Sequence, residues 1–102
     1  MEKFRPHYDL RTVQAIVADP RSQPFTMTAL RGCLALGLNE REMRQVVVAL
    51  SPRDFYKSMT TDRDSRFWQD VYHGATAGGI AVYIKITHYM DGSPPVIQFK
   101  AK

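Results

Sequence analysis

Two short strings hold most of the reactive side chains of this sequence. Asp54-Phe55-Tyr56-Lys57-Ser58-Met59-Thr60-Thr61 brings hydroxyls, a cation and aromatic rings together, and Trp68-Gln69-Asp70-Val71-Tyr72 follows a short loop later with an amide. Downstream, Tyr83-Ile84-Lys85-Ile86-Thr87 and Phe99-Lys100-Ala101-Lys102 add phenols and amines. Lysines hold phosphates and stabilise developing negative charge, a tyrosine or lysine transfers protons, and a glutamine orients a phosphate or a base. Those are the needs of RNA cleavage by its own 2′-hydroxyl. That reaction removes the hydroxyl proton, neutralises a charge-rich phosphorus centre and protonates the leaving 5′-oxygen.

No metal is required by this route, and the sequence has no metal signature. It lacks Cys-x-x-Cys, His-x-x-x-His and any tight carboxylate cluster. Asp62 and Asp64 alternate with Arg63 and Arg66, the pattern of a solvated loop. No cofactor is expected.

A chain of 102 residues, 44% hydrophobic, makes one domain spanning 1–102 with a core that needs no staple. One cysteine, Cys33, excludes an internal disulfide and suits a reducing cytoplasm. The N-terminal residues have no apolar run to act as a secretory signal, and nothing approaches the length of a membrane span. The net charge of +4 is a mild invitation to nucleic acid. Its distribution says more: from His73 to Lys102 the only acid is Asp91, against Lys85, Lys100 and Lys102 interleaved with Tyr83 and Tyr89. Cations with aromatics between them suit phosphates and stacked bases, and a plain solvated lysine face fits the charge equally well.

The elements that must position these groups change character near residue 53. Before it the apolar period is helical. Asp9 caps a helix with Leu10, Val13, Ile16 and Val17 on one face, closed by Pro20. Thr26 or Thr28 caps a second through Leu30, Cys33 and Leu34, ended by Gly37. Asn39 and Glu42 form a capping box for a third, with Met43, Val46, Val47 and Leu50 inward. Ser51-Pro52 ends it. Residues 55–61 read as a strand or an irregular helix end, with the strand preferred, and further strands are expected over 67–72, 80–90 and 96–100, with 74–79 as a flexible turn and 91–94 as a tight one. Helices followed by an antiparallel sheet make an α+β fold.

Alternation sorts the strand residues. Val82, Ile84 and Ile86 fall on one face with Ile97 and Phe99, to be covered by helices. Tyr83, Lys85, Thr87 and Tyr89 fall on the other with Gln98 and Lys100, and Lys57 reaches the same area if its strand is a neighbour. The face of Gln69 is not fixed by pattern. Several residues read as structural: His7 packing or bonding against the sheet, Cys33 in the core, Trp68 as a packing anchor, and His73 and His88 at surface or rim.

The DFYKSMTT and WQDVY strings, with YIKIT, the FKAK ending and the start Met1-Glu2-Lys3, Pro6-His7 and Leu10, resemble the MqsR family of bacterial toxins over essentially the whole chain. The resemblance implies a RelE-like fold and an endoribonuclease, an mRNA interferase, that prefers GCU-containing sites and is neutralised by an MqsA-like antitoxin, through which it reaches operator DNA. It implies Lys57, Gln69, Tyr83 and Lys100 as catalytic residues and Tyr56 and Met59 as substrate contacts, to which the cationic Lys85 is added. The sequence departs from the family pattern at 62–66 and 73–79. Two readings compete: a non-catalytic RelE-like module that inhibits a protein such as DNA gyrase or binds RNA without cutting, and a degenerate toxin kept as a transcription co-regulator.

Overall fold

In the computed structural model, which describes residues 1–60, 66–89 and 92–102, three helices precede the main strands. Helix α1 spans Leu10–Ala18. Asp9 stays extended ahead of it, and its carboxylate accepts from the Thr12 backbone N–H at 3.1 Å. Helix α2, Met27–Ala35, starts on Thr26, whose hydroxyl accepts from the Ala29 N–H at 3.0 Å. It stops at Gly37, where φ of +76° suits glycine. There Gly37 N–H donates to the Leu34 carbonyl and Leu38 N–H to that of Cys33, the paired bonds of a Schellman stop. Helix α3, Glu40–Val48, has the expected capping box of Asn39 and Glu42. A 3-10 turn, Pro52–Asp54, leads into the sheet.

The carbonyl ends of α1 and α3 are satisfied by each other's side chains. Gln14 of α1 donates through Nε2 to the carbonyls of Val47, Val48 and Leu50 at 2.8–3.2 Å. Arg44 of α3, buried, donates through Nη1 to those of Val17 and Asp19 at 2.8 and 2.9 Å, and onward to Ser22. Helix ends leave orphan carbonyls, and long amide and guanidinium side chains fill that need without exposing the core.

The strands are β1 (Glu2–Lys3), β2 (Phe55–Thr60), β3 (Trp68–Ala75), β4 (Ala81–Thr87) and β5 (Val96–Ala101), antiparallel throughout and adjacent in chain order. The expected α+β architecture holds. Val82, Ile84, Ile86, Ile97 and Phe99 are all buried beneath Val13, Val17, Ala29, Cys33, Met43, Val46, Val47 and Leu50. Each Val, Ile, Leu, Met or Phe side chain among them contributes about 1.5–3 kcal/mol on leaving water. Trp68 is the anchor expected of it: the His7 ring stacks on it at 5.7 Å, Lys3 Nζ sits 4.2 Å from its centroid, and its carbonyl accepts from the Tyr8 hydroxyl at 2.7 Å.

Three expectations need correcting. The strand expected over 80–90 is β4, Ala81–Thr87, so Tyr89 lies beyond its end. Residues 74–79 are not all turn, because β3 continues through Gly74 and Ala75. Gly74 is there for space: a Cβ would meet Ile84 Cδ1 and Leu50 Cδ2, each at 3.1 Å. Only Thr76 to Gly79 turn the chain, closed by Gly79 N–H to the Thr76 carbonyl at 2.9 Å. Thr87 shares the predicted open face but is buried. The loop expected at 62–65 and the Asp91 turn position lie outside the described residues.

The β5 edge is covered. Phe25 bridges Ile97 in parallel, and α2 lies so close that a Cβ on Gly32 would stand 3.1 Å from the Phe99 carbonyl oxygen. Among the described residues no helix is long and apolar enough to cross a membrane.

Candidate active site

The register fixes what shares the open face. Lys57 pairs with Val71, Val71 with Lys85 and Lys85 with Gln98, forming one rung across four strands. The next rung holds His73, Tyr83 and Lys100. On the other side, Glu2 pairs with Met59 and Met59 with Gln69. The intervening residues Ser58, Asp70, Ile84 and Phe99 face the core and are buried. Lys57, Gln69, Tyr83 and Lys100 therefore lie on one face, with Met59 and Lys85 among them. A register irregularity between Phe55 and Lys57 turns Tyr56 to this face as well, its ring 4.5 Å from that of His73.

The four are spread over that face. Tyr83 and Lys100 are directly paired and line a small cavity of about 70 Å³ with Thr28, Lys85 and Gln98. Lys57 lies two strands and one rung from Tyr83, about 12 Å by ordinary strand spacing. Gln69 is farther from Lys100 still, on the opposite side of the Lys57 rung. The face matches a length of polymer several units long better than a point-like ligand. A larger cavity of about 580 Å³ lies elsewhere, between the ends of α1 and α3, lined by Ala18, Pro20, Arg44 and Val48. It contains none of the predicted site residues.

Lys57 has a partner that the sequence reading missed. Glu2 Oε1 stands 2.5 Å from its Nζ, and the two side chains are 47% and 22% exposed. The hydrogen bond and the opposite charge raise the lysine's pKa and lower the glutamate's. Strand β1 puts Glu2 there, and buried Asp70 holds the chain beyond β1. The Asp70 carboxylate accepts from the His7 backbone N–H at 3.0 Å and the Tyr8 N–H at 2.9 Å. The structural reading of His7 holds, although its backbone makes the bond to the sheet.

His73, expected at surface or rim, lies half-buried on the open face, in the middle strand β3. Its ring is 4.9 Å from that of Tyr83, and its Nδ1 is 3.2 Å from Lys102 Nζ. Its Nε2 is enclosed without a hydrogen-bond partner. Burial and the Lys102 charge push its pKa below the usual histidine value. The alternation of β3 is the signal: Gln69, Val71 and His73 share a parity, and β3 runs past the expected end at residue 72 to Ala75. Among the described residues, no three His, Cys, Asp or Glu side chains gather as a metal-holding group.

Residues 5–101 match the family described as motility quorum-sensing regulator, toxin of MqsA. Over 102 residues, all of both chains, the sequence is 41% identical to the mRNA interferase toxin MqsR of Escherichia coli strain K12. With that coverage from end to end, the chain belongs to the MqsR family of toxins.

Proposed function

We propose that this protein is an endoribonuclease toxin that cuts mRNA without a metal, by attack of the 2′-hydroxyl on the adjacent phosphorus, and so stops translation and growth. The observation that carries the reading is the register that turns Lys57, Gln69, Tyr83 and Lys100 to one face while the helices cover the other. Lys57 and Lys100 hold the phosphate and stabilise its developing charge, Tyr83 moves a proton, and Gln69 orients the phosphate or a base. Tyr56 and Met59 contact bases, and Lys85 contacts the backbone. Membership of the family supports cleavage at GCU-containing sites in the cytoplasm and an MqsA-like antitoxin that carries the toxin to operator DNA. A module that only bound a protein such as gyrase would have no need of amines, amide and phenol on one face.

The test is a defined RNA with one cleavable site, incubated with pure protein in EDTA. The expected products are an upstream fragment ending in a 2′,3′-cyclic phosphate and a downstream fragment beginning with a 5′-hydroxyl. A substrate with a 2′-deoxy sugar at the cut position should bind and stay whole. Activity lost in EDTA and restored by magnesium, or efficient cutting of the 2′-deoxy substrate, would refute the mechanism.

A further inference from the structure

The four site residues supply cations, an amide and a phenol, and none of these is a side-chain type that ordinarily offers a basic lone pair near neutral pH. Lysine ammonium groups have no lone pair, and a glutamine amide does not titrate. Lys57 is bound to Glu2, which favours its charged form. An imidazole is the one side-chain type whose ordinary titration falls near neutral pH, and the face has one among its described strand positions.

That imidazole is His73. By register it stands directly across from Tyr83, and on its other side the Tyr56 ring lies at 4.5 Å and Lys57 is one rung away. It thus fills the gap between the Lys57 half of the face and the Tyr83–Lys100 half. The ring orientation is set. Nδ1 accepts from the Lys102 ammonium at 3.2 Å, so the ring proton of the neutral form is on Nε2, the nitrogen enclosed without a partner. The nitrogen with a free electron pair is the one beside an exposed lysine that can move away.

We propose that His73 is the general base of this site, its Nδ1 taking the proton of the attacking 2′-hydroxyl while Lys102 leaves the ring for the phosphate. The inference rests on the reading given under Proposed function. As the 2′-O–H bond breaks, its proton goes to Nδ1 and the oxygen's electron pair forms the bond to phosphorus. The P–O5′ bond then breaks, and the leaving oxygen takes a proton from an acid of the same face. The imidazolium later returns its proton to water, and the acid recovers its own from water, so the cycle closes with no net change in protons. The groups facing the ring are Tyr56 and Lys57 from β2, Tyr83 and Lys85 from β4, and Lys100 and Lys102 at the end of β5. Glu2, the one carboxylate among the described strand positions of this face, is taken up by Lys57. Burial first, and the Lys102 charge beside it, hold the ring of the free protein below the usual histidine value. A bound phosphodiester offsets the cations, so the ring becomes a better base as substrate arrives.

The experiment compares wild-type protein with His73→Asn and His73→Gln on the single-site RNA, measuring kcat and KM from pH 5 to 8. Wild-type kcat/KM should rise with pH through a value below the ordinary histidine range. Both variants should lose about 100-fold or more in kcat, the usual contribution of a positioned base, with KM within a few-fold and the acid limb gone. Added imidazole should partly restore His73→Ala. An NMR titration of His73 in the wild-type protein gives an independent check, since its pKa must match the kinetic limb of kcat/KM. The proposal fails if the Asn variant folds and keeps kcat within about threefold, if the limb persists in the variants, if the loss falls on KM or cut-site choice alone, or if the NMR and kinetic values disagree. Wild-type protein that cuts the 2′-deoxy control, or leaves RNA whole, removes the parent reading as well. Cutting that needs the 2′-hydroxyl but survives His73→Asn removes this inference alone.

Discussion

Replacing Asp70 by Ala should detach the N-terminal segment from the sheet. The carboxylate is 1% exposed and binds two backbone amides: His7 N–H is shared between both oxygens at 3.0 Å, and Tyr8 N–H meets Oδ2 at 2.9 Å. A hydrogen bond to a charged group contributes about 1.5–3 kcal/mol, which gives about 3–6 kcal/mol for the two. Two terms limit the loss. The variant no longer buries a charge, and the segment can peel away so that its amides find water. Peeling gives up the Glu2–Met59 and Lys3–Ser58 pairing, the Tyr8 hydroxyl bond to the Trp68 carbonyl and the His7–Trp68 stack. A net cost of about 3 kcal/mol is expected, a large share of the ~5–15 kcal/mol that holds a domain together. Urea unfolding followed by Trp68, the sole tryptophan, reads both effects, because loss of the stacked His7 ring changes its fluorescence before global unfolding. Hydrogen exchange at the His7 and Tyr8 amides should speed up in the native state. A variant within about 1 kcal/mol of wild type, with both amides still protected, would show that Asp70 is not the anchor.

Other perturbations reach different parts of the molecule. Lys57→Ala, Lys100→Ala and Tyr83→Phe should each lower RNA cleavage by about 100-fold, while melting temperatures stay near wild type because none of the three is buried in the core; normal turnover by all three would dismiss the proposed site. Gly74→Val should cost about 1–3 kcal/mol by overpacking Ile84 and Leu50, seen as a melting point lower by several degrees, and an unchanged melting point would mean that the core gives way freely. The Glu2 carboxylate has a lowered pKa and Lys57 a raised one. Their pair is therefore fully formed above the ordinary glutamate value of 4.5 and below the ordinary lysine value of 10.5. It is lost only as pH falls through the depressed glutamate value or rises through the elevated lysine value. Carbon NMR should show Glu2 titrating below 4.5 in wild type and returning toward it in Lys57→Ala.

The helices were legible in the sequence because their signals are local. Asp9, Thr26 and the Asn39–Glu42 box each act within one turn, and the spacing of Met43, Val46, Val47 and Leu50 needs no knowledge of a partner. The faces of β4 and β5 were legible for the same reason, since alternation alone separates Tyr83 and Lys100 from Ile84 and Phe99. What escaped depends on distant partners. Gly74 looks like turn material until Leu50 and Ile84 close around it. The place of Gln69 required the register with Met59. Glu2 is separated from Lys57 by 55 residues of chain, and no local pattern couples them. The place of His73 beside Tyr83 depends on β3 running on past Tyr72 to Ala75, which the local pattern does not show.

The exchanged caps of α1 and α3 have a consequence for how the protein comes apart. Gln14 closes the carbonyl end of one helix and Arg44 that of the other. Each helix therefore ends well only while the other is present, and nine-residue helices are too short to persist alone in water. The pair must form and dissolve as one cooperative unit, with amide exchange in both helices tracking a single opening energy. Such an all-or-none layer has no half-helical state in which Val13, Val17, Met43 and Val47 stand exposed beside a surviving neighbour. Sequence drift is tied in the same way: a residue 30 positions away in the chain must change in step before either helix can be lengthened, shortened or turned.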